Sequence, residues 1–378
     1  MNRWLIVPGL LAGLLALAAC AAKEEAPPTT PAPEVKPAWE QEWGKVLAAA
    51  KQEGKVALIT SVTGAEGRRA LTEGFQKRYG IQVEYMGLKG GELGPRVQTE
   101  RGAGQYLWDV TLGGTDTQLN SLRPLGALDP IDPALILPEV KEAKNWRGGR
   151  LPFSDKDKIV LAMTPYQRGI LFVNSNLVKP EDLKSYRDLL DPKWKGKILL
   201  DDPRFPGPGN ATFAFFYLHK ELGPDFIRAF LKQEPAILRG DFRQELEWLG
   251  QGKYPILVGT SDGDALQLAR QGLPIAVVDP TKVKEGSDVS PAWGSVALFK
   301  NAPHPNAAKV YINWLLTKEA QTEFARAMGY VSARVDVPTD HVPAWRIPRE
   351  GAVDTAHEDA MDTRFRLLPA LLKDLLGE

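Results

Sequence analysis

The chain has 378 residues with 47 basic and 47 acidic side chains, so no general attraction to nucleic acid is expected. One cysteine and four unpaired-looking histidines leave no disulfide framework, thiolate metal site or two-histidine metal motif. HExxH and Walker A patterns are absent from the sequence, and no cofactor is expected.

Residues 1–19 read as an export signal. Arg3 precedes the apolar stretch Trp4–Ala19, too short for a comfortable membrane span and weakened by Pro8, Gly9 and Gly13. Leu17-Ala18-Ala19-Cys20 is similar to the lipobox of bacterial lipoproteins, which implies acylation of Cys20 and a membrane tie through lipid. Residues 20–38 carry five prolines, Pro27, Pro28, Pro31, Pro33 and Pro37, and cannot bury a core, so they read as a semi-extended tether. The mature chain is expected outside the cytoplasm, as a cell-envelope lipoprotein facing the periplasm or the outer surface of the cytoplasmic membrane.

From Trp39 the pattern becomes regular. Trp43, Val46, Leu47 and Ala50 recur at helical spacing and Gly54 ends that helix. Strands are expected at 55–61, 81–86 and 109–112, with helices at 64–79 and around 93–102. After a less regular middle, strands at 159–163, 170–174, 197–201, 255–259, 275–278 and 295–299 alternate with helices at 210–222, 225–231, 242–249, 262–271 and 305–316. This alternation predicts an α/β chain with mostly parallel sheets flanked by helices.

Five ordered segments now carry a family resemblance: WGKVLAAAKQEGKVALITS, FQKRYGIQVEY, QTERGAGQYLWDV, LLDPKWKGKILLDDP and NAPHPNAAKVYINWLLTKEAQ. Together, from about Trp39 to Asp336, they resemble the ferric-iron-type extracellular solute-binding proteins of ABC importers. That resemblance implies the two-lobe type II periplasmic-binding-protein fold. Residues 39–162 and 285–318 would form one lobe and 163–284 the other, with 319–378 packing across both. It also implies a monomer that takes a small-molecule solute and docks on ABC transporter permease subunits.

In such a fold the ligand lies at the carboxyl ends of the strands. Four loops there supply candidate contacts. Ser61 and Thr63 precede a helix start, where free amides accept anions, although Thr63 could equally cap that helix. Gly113-Gly114 permits close backbone approach beside Thr115 and Asp116. Arg204 could grip an oxyanion in a loop ending at Asn210, or pair with Asp201 or Asp202. Ser261 and Asp262 occupy the position where the resemblance implies adjacent iron-binding tyrosines. No tyrosine stands between Tyr254 and Tyr311, which favours a polar or anionic solute over ferric iron or a metal chelate. Tyr166 and Trp293, at the expected crossovers, could stack on a ligand or pack between lobes. Gly259 to Gly263 also matches the G-x-S-x-G nucleophile elbow. Nothing in the sequence brings a histidine to Ser261, and a binding protein is expected rather than an enzyme.

Overall fold

The computed structural model describes residues 36–88, 90–349 and 351–377. The expected signal peptide, Cys20 and all but the end of the tether lie outside the described residues. The first helix is Ala38–Glu53, followed by the strand Lys55–Thr60 and the helix Ala65–Tyr79. Gly80 ends the latter with φ of 69°, and its amide returns to the Gln76 carbonyl. A β-carbon would be strained there.

Two sheets organise the remainder. The first has six strands. Gln82–Gly87, Lys55–Thr60 and Val110–Gly113 run parallel, and Ser295–Phe299 joins the last of them antiparallel. Leu128–Asp129 and Val160–Ala162 then pair antiparallel with Ser295–Phe299. The second sheet has five strands, ordered Ile275–Val277, Leu171–Asn174, Ile256–Val258, Ile198–Asp201 and Ala236–Leu238. Its last three are parallel, while Leu171–Asn174 pairs antiparallel on both sides. The α/β fold is thus built on mixed sheets. Parallel strands form where helices intervene, and strands by which the chain enters or re-enters a sheet run against them.

Side chains alternate between the two faces along the strands as the pleat requires. Val56 and Leu58 face a core with Phe75, Tyr311 and Trp314, while Ile59 faces Leu93, Leu119 and Val160 on the other side. In the second sheet Ile198 and Leu200 meet Phe213, Phe216 and Phe230, whereas Leu199 meets Phe172, Leu246 and Leu257. Both sheet faces are covered, which explains the nearly unbroken apolar runs of the strands.

A separate two-stranded ribbon, Tyr166–Gln167 against Val289–Ser290, joins the sheets. Just beyond it, Gly294 admits Thr164 where a β-carbon would lie 1.6 Å from Thr164 Oγ1. The Gly294→Ala protein should therefore lose about 1–3 kcal/mol of stability through overpacking, read as a lower urea midpoint with unchanged slope.

Candidate functional site

The loops at the carboxyl ends of the strands converge on the ribbon. Tyr166 is buried and donates its hydroxyl to Asp262 Oδ1 at 3.1 Å. Its ring lies 5.5 Å from that of Tyr330, with the planes 6° apart. The Arg346 guanidinium sits 4.4 Å from the Tyr166 ring centroid and donates to Asp262 Oδ2 at 3.0 Å. Asp262 also accepts from the Gly169 amide. Burial, then the Asp262 charge, raises the Tyr166 phenol well above its ordinary range, and burial does the same for Tyr330. Both phenols are therefore neutral donors at neutral pH, beside one compensated ion pair.

A second arginine braces the ribbon. Arg168 donates to the Pro208 carbonyl and to Thr212 Oγ1, and its Nε lies 3.6 Å from Asp288 Oδ1. It thereby fixes the start of the helix Pro208–Leu218. A third, Arg364, donates to both Asp116 oxygens at 2.5 and 2.7 Å and through Nε to Asn210 Oδ1 at 3.0 Å.

The sequence-derived candidates divide accordingly. Tyr166, Asp262, Asp116 and Asn210 come together in these networks. Thr115 is buried and shares a 2.7 Å hydrogen bond with Ser295. Ser61 is buried beside Gly113, and its hydroxyl lacks a partner. Thr63 is exposed and does not cap the following helix, whose N-cap is Gly64 with no side-chain bond. Trp293 is 41 % exposed with its ring against Gly114. Arg204 is held in a fork by Asp202, at 2.9 and 2.8 Å, the pairing its loop allowed. Ser261 is the N-cap of the helix Asp262–Arg270 and makes no side-chain cap bond. The histidines that follow Ser261 are bound elsewhere: His304 to Asp109, His341 to the Tyr330 carbonyl and His357 to the Asp359 amide.

Sequence reasoning missed Arg346, Arg364, Tyr330 and the Arg168–Asp288 pair. It also missed a buried carboxyl pair beneath the second-lobe loops. Asp201 accepts from the Gly209 and Gly240 amides, and Glu245 accepts from Thr260 at 2.6 Å. Burial, helped by the Asp201 charge, lifts Glu245 to about 8. Its other oxygen is buried without a hydrogen-bond partner. The two carboxyls thus bind donors from loops that follow three strands.

Surface hollows of 480 and 340 Å³ lie elsewhere, one lined by Arg78, Thr317 and Glu323, the other by Arg204, Pro369 and Lys373. Among the described residues no helix is long and apolar enough to cross a membrane, and no cluster of three or more His, Cys, Asp or Glu side chains could hold a metal.

Two α/β lobes hinged on a ribbon, with polar loops meeting at it, define a periplasmic-binding architecture. The chain belongs to the family of bacterial extracellular solute-binding proteins, whose model matches residues 70–347. Iron uptake protein A1 of Synechocystis is 29 % identical over 262 residues, covering 67 % of this chain and 68 % of the relative. The spermidine/putrescine-binding periplasmic protein of Escherichia coli is 28 % identical over 176 residues, 42 % and 45 % of the respective chains. Among solved structures, Trichodesmium FutA with iron and citrate aligns at a TM-score of 0.66 and 19 % identity, covering 86 % of this chain and all of that one. AfuA of Actinobacillus pleuropneumoniae, bound to fructose-6-phosphate, aligns at 0.61 and 18 %, covering 86 % and 99 %. These structural likenesses place the fold.

Because the folded-state pKa of Glu245 lies above its ordinary value, its contribution favours folding at low pH and fades as pH rises. Urea midpoints should fall between about pH 5 and pH 8, and Glu245→Gln should flatten that fall. A wild-type midpoint constant across this range would contradict the assignment.

Proposed function

We propose that the protein is the solute receptor of an ABC importer, capturing a small polar or anionic molecule between its lobes and presenting it to permease subunits. Cys20 would carry the lipid that keeps this exported, monomeric receptor at the membrane. The observation that carries the reading is the convergence, at one hinge ribbon, of polar groups from both lobes and from the C-terminal segment: Tyr166, Asp262 and Arg346 on one side, Asp116, Asn210 and Arg364 on the other. A hinge of two short strands permits lobe rotation, and closure would strengthen each polar contact by excluding water.

The chemistry of the donors favours an organic or oxyanionic solute over bare ferric iron. Iron would require free phenolate ligands, whereas the Tyr166 hydroxyl is committed to Asp262, which Arg346 also engages. Asp262 already receives three donors, and the fixed cation beside it is Arg346. The relatives are named for iron and for polyamines, so likeness alone singles out no solute. A hydrolase built on Ser261 lacks support, since the histidines following it are bonded to other groups.

Thermal melting against phosphates, phosphonates, carboxylates, amines, sugars and Fe(III) tests the reading. A tight anion at a hundredfold excess over its Kd should add about 2.7 kcal/mol of stability, and Arg346→Gln, which removes the cation beside Asp262, should reduce that gain. Visible absorbance on adding Fe(III), the signature of phenolate binding, would overturn the preference for an organic anion.

A further inference from the structure

The C-terminal residues form a strap whose two ends are buried in different lobes. The segment Glu358–Asp362 packs on the first lobe. Met361 joins Leu119, Val160 and Ala297 in its core, and Glu358 accepts from Arg123 at 2.9 Å and from the Lys156 amide at 2.7 Å. The continuing helix Leu368–Leu376 packs on the second lobe, where Leu368 and Leu372 join Phe213, Phe216 and Phe230. Between them, at Thr363–Leu367, the helix widens into a π-turn. Such turns are uncommon and mark places where a helix can change register. A second π-turn, Gln118–Leu122, lies on the first lobe directly after Asp116, and its Asn120 reaches Met361 at 3.4 Å.

Arg364 stands within the strap's π-turn. It is 3 % exposed, and its fork closes on Asp116 of the first lobe while Nε holds Asn210 of the second. Asn210 returns its amide to the Arg364 carbonyl at 3.3 Å. One guanidinium therefore joins both lobes, and it also donates to the Thr355 carbonyl, whose hydroxyl bonds Asp288 at the ribbon's end. The Asn210 contacts are buried and reciprocal. The Asp116 side chain is one-third exposed, so the Asp116 fork is the contact that water can replace.

We propose that Arg364 is a positioning residue for solute capture: with Asp116 it latches the lobes closed, and the strap's π-turn lets the latch open while both ends stay anchored. Its use in capture rests on the solute-receptor reading, but the latch itself does not. Spin labels at Glu73→Cys and Lys220→Cys, in a Cys20→Ser background of the full chain, report the interlobe distance. Asp116→Asn should lower the short-distance population about tenfold relative to the long one, as loss of a charge-assisted fork implies. Raising salt should open the wild type and leave Asp116→Asn unchanged. Arg364→Lys, which keeps charge but loses the fork, should fall between. Identical distance distributions for wild type and Asp116→Asn at low salt would overturn the latch. Opening by Asp116→Asn in a chain that no solute stabilises would uphold the latch and sink the receptor reading instead.

Discussion

A guanidinium taken out of water must find acceptors for its N–H groups and a negative partner for its charge, and this requirement organises the junction between the lobes. Arg168, Arg346 and Arg364 are all nearly buried there, and each has a carboxylate: Asp288, Asp262 and Asp116. The partners come from distant stretches of the chain, so each pair fixes a long-range arrangement that apolar packing alone would leave adjustable. Removing one member strands the other, which costs far more than the pair contributes.

The three pairs have different settings. Arg168–Asp288 is continuous with the ribbon, because the Arg168 amide donates to the Asp288 carbonyl and Ser287 to the Arg168 carbonyl. It sets where the hinge is. Arg346–Asp262 lies against the stacked rings of Tyr166 and Tyr330. Arg364–Asp116 is the most exposed on its acidic side. Of the three, Arg364–Asp116 is therefore the pair whose carboxylate water reaches most readily.

Much of the scaffold was legible in the sequence because strand and helix periodicity report local burial. Val56 to Ile59 and Ile198 to Leu200 are apolar on both faces, and helices such as Ala65–Tyr79 end at glycines, here Gly80. Sheet direction was less legible. Ser295–Phe299 reads as one more strand, and only the return of the chain from the second lobe makes it antiparallel. Of the candidate residues, the polar loop positions were legible and the arginines that bond them were not. Asp116 and Asn210 stand out beside glycines in strand-to-helix loops, but their shared partner Arg364 lies about 150 residues beyond Asn210, in a segment whose charges look solvated. Arg346, between Trp345 and Ile347, carries no spacing signal at all. Glu245 reads as an ordinary helix glutamate, since a raised pKa arises from burial against Asp201 and not from its own neighbours in sequence.

The central claim is that one small molecule is held by both lobes at once. Hydrogen exchange followed by mass spectrometry, with and without the solute that melts the protein highest, addresses it most directly. The account predicts slowed exchange together in the Ser61–Gly67 loop, the Gly259–Asp262 loop and the Tyr166–Gln167 ribbon. Protection confined to one lobe, or to the outer hollow around Arg78 and Glu323, would contradict it.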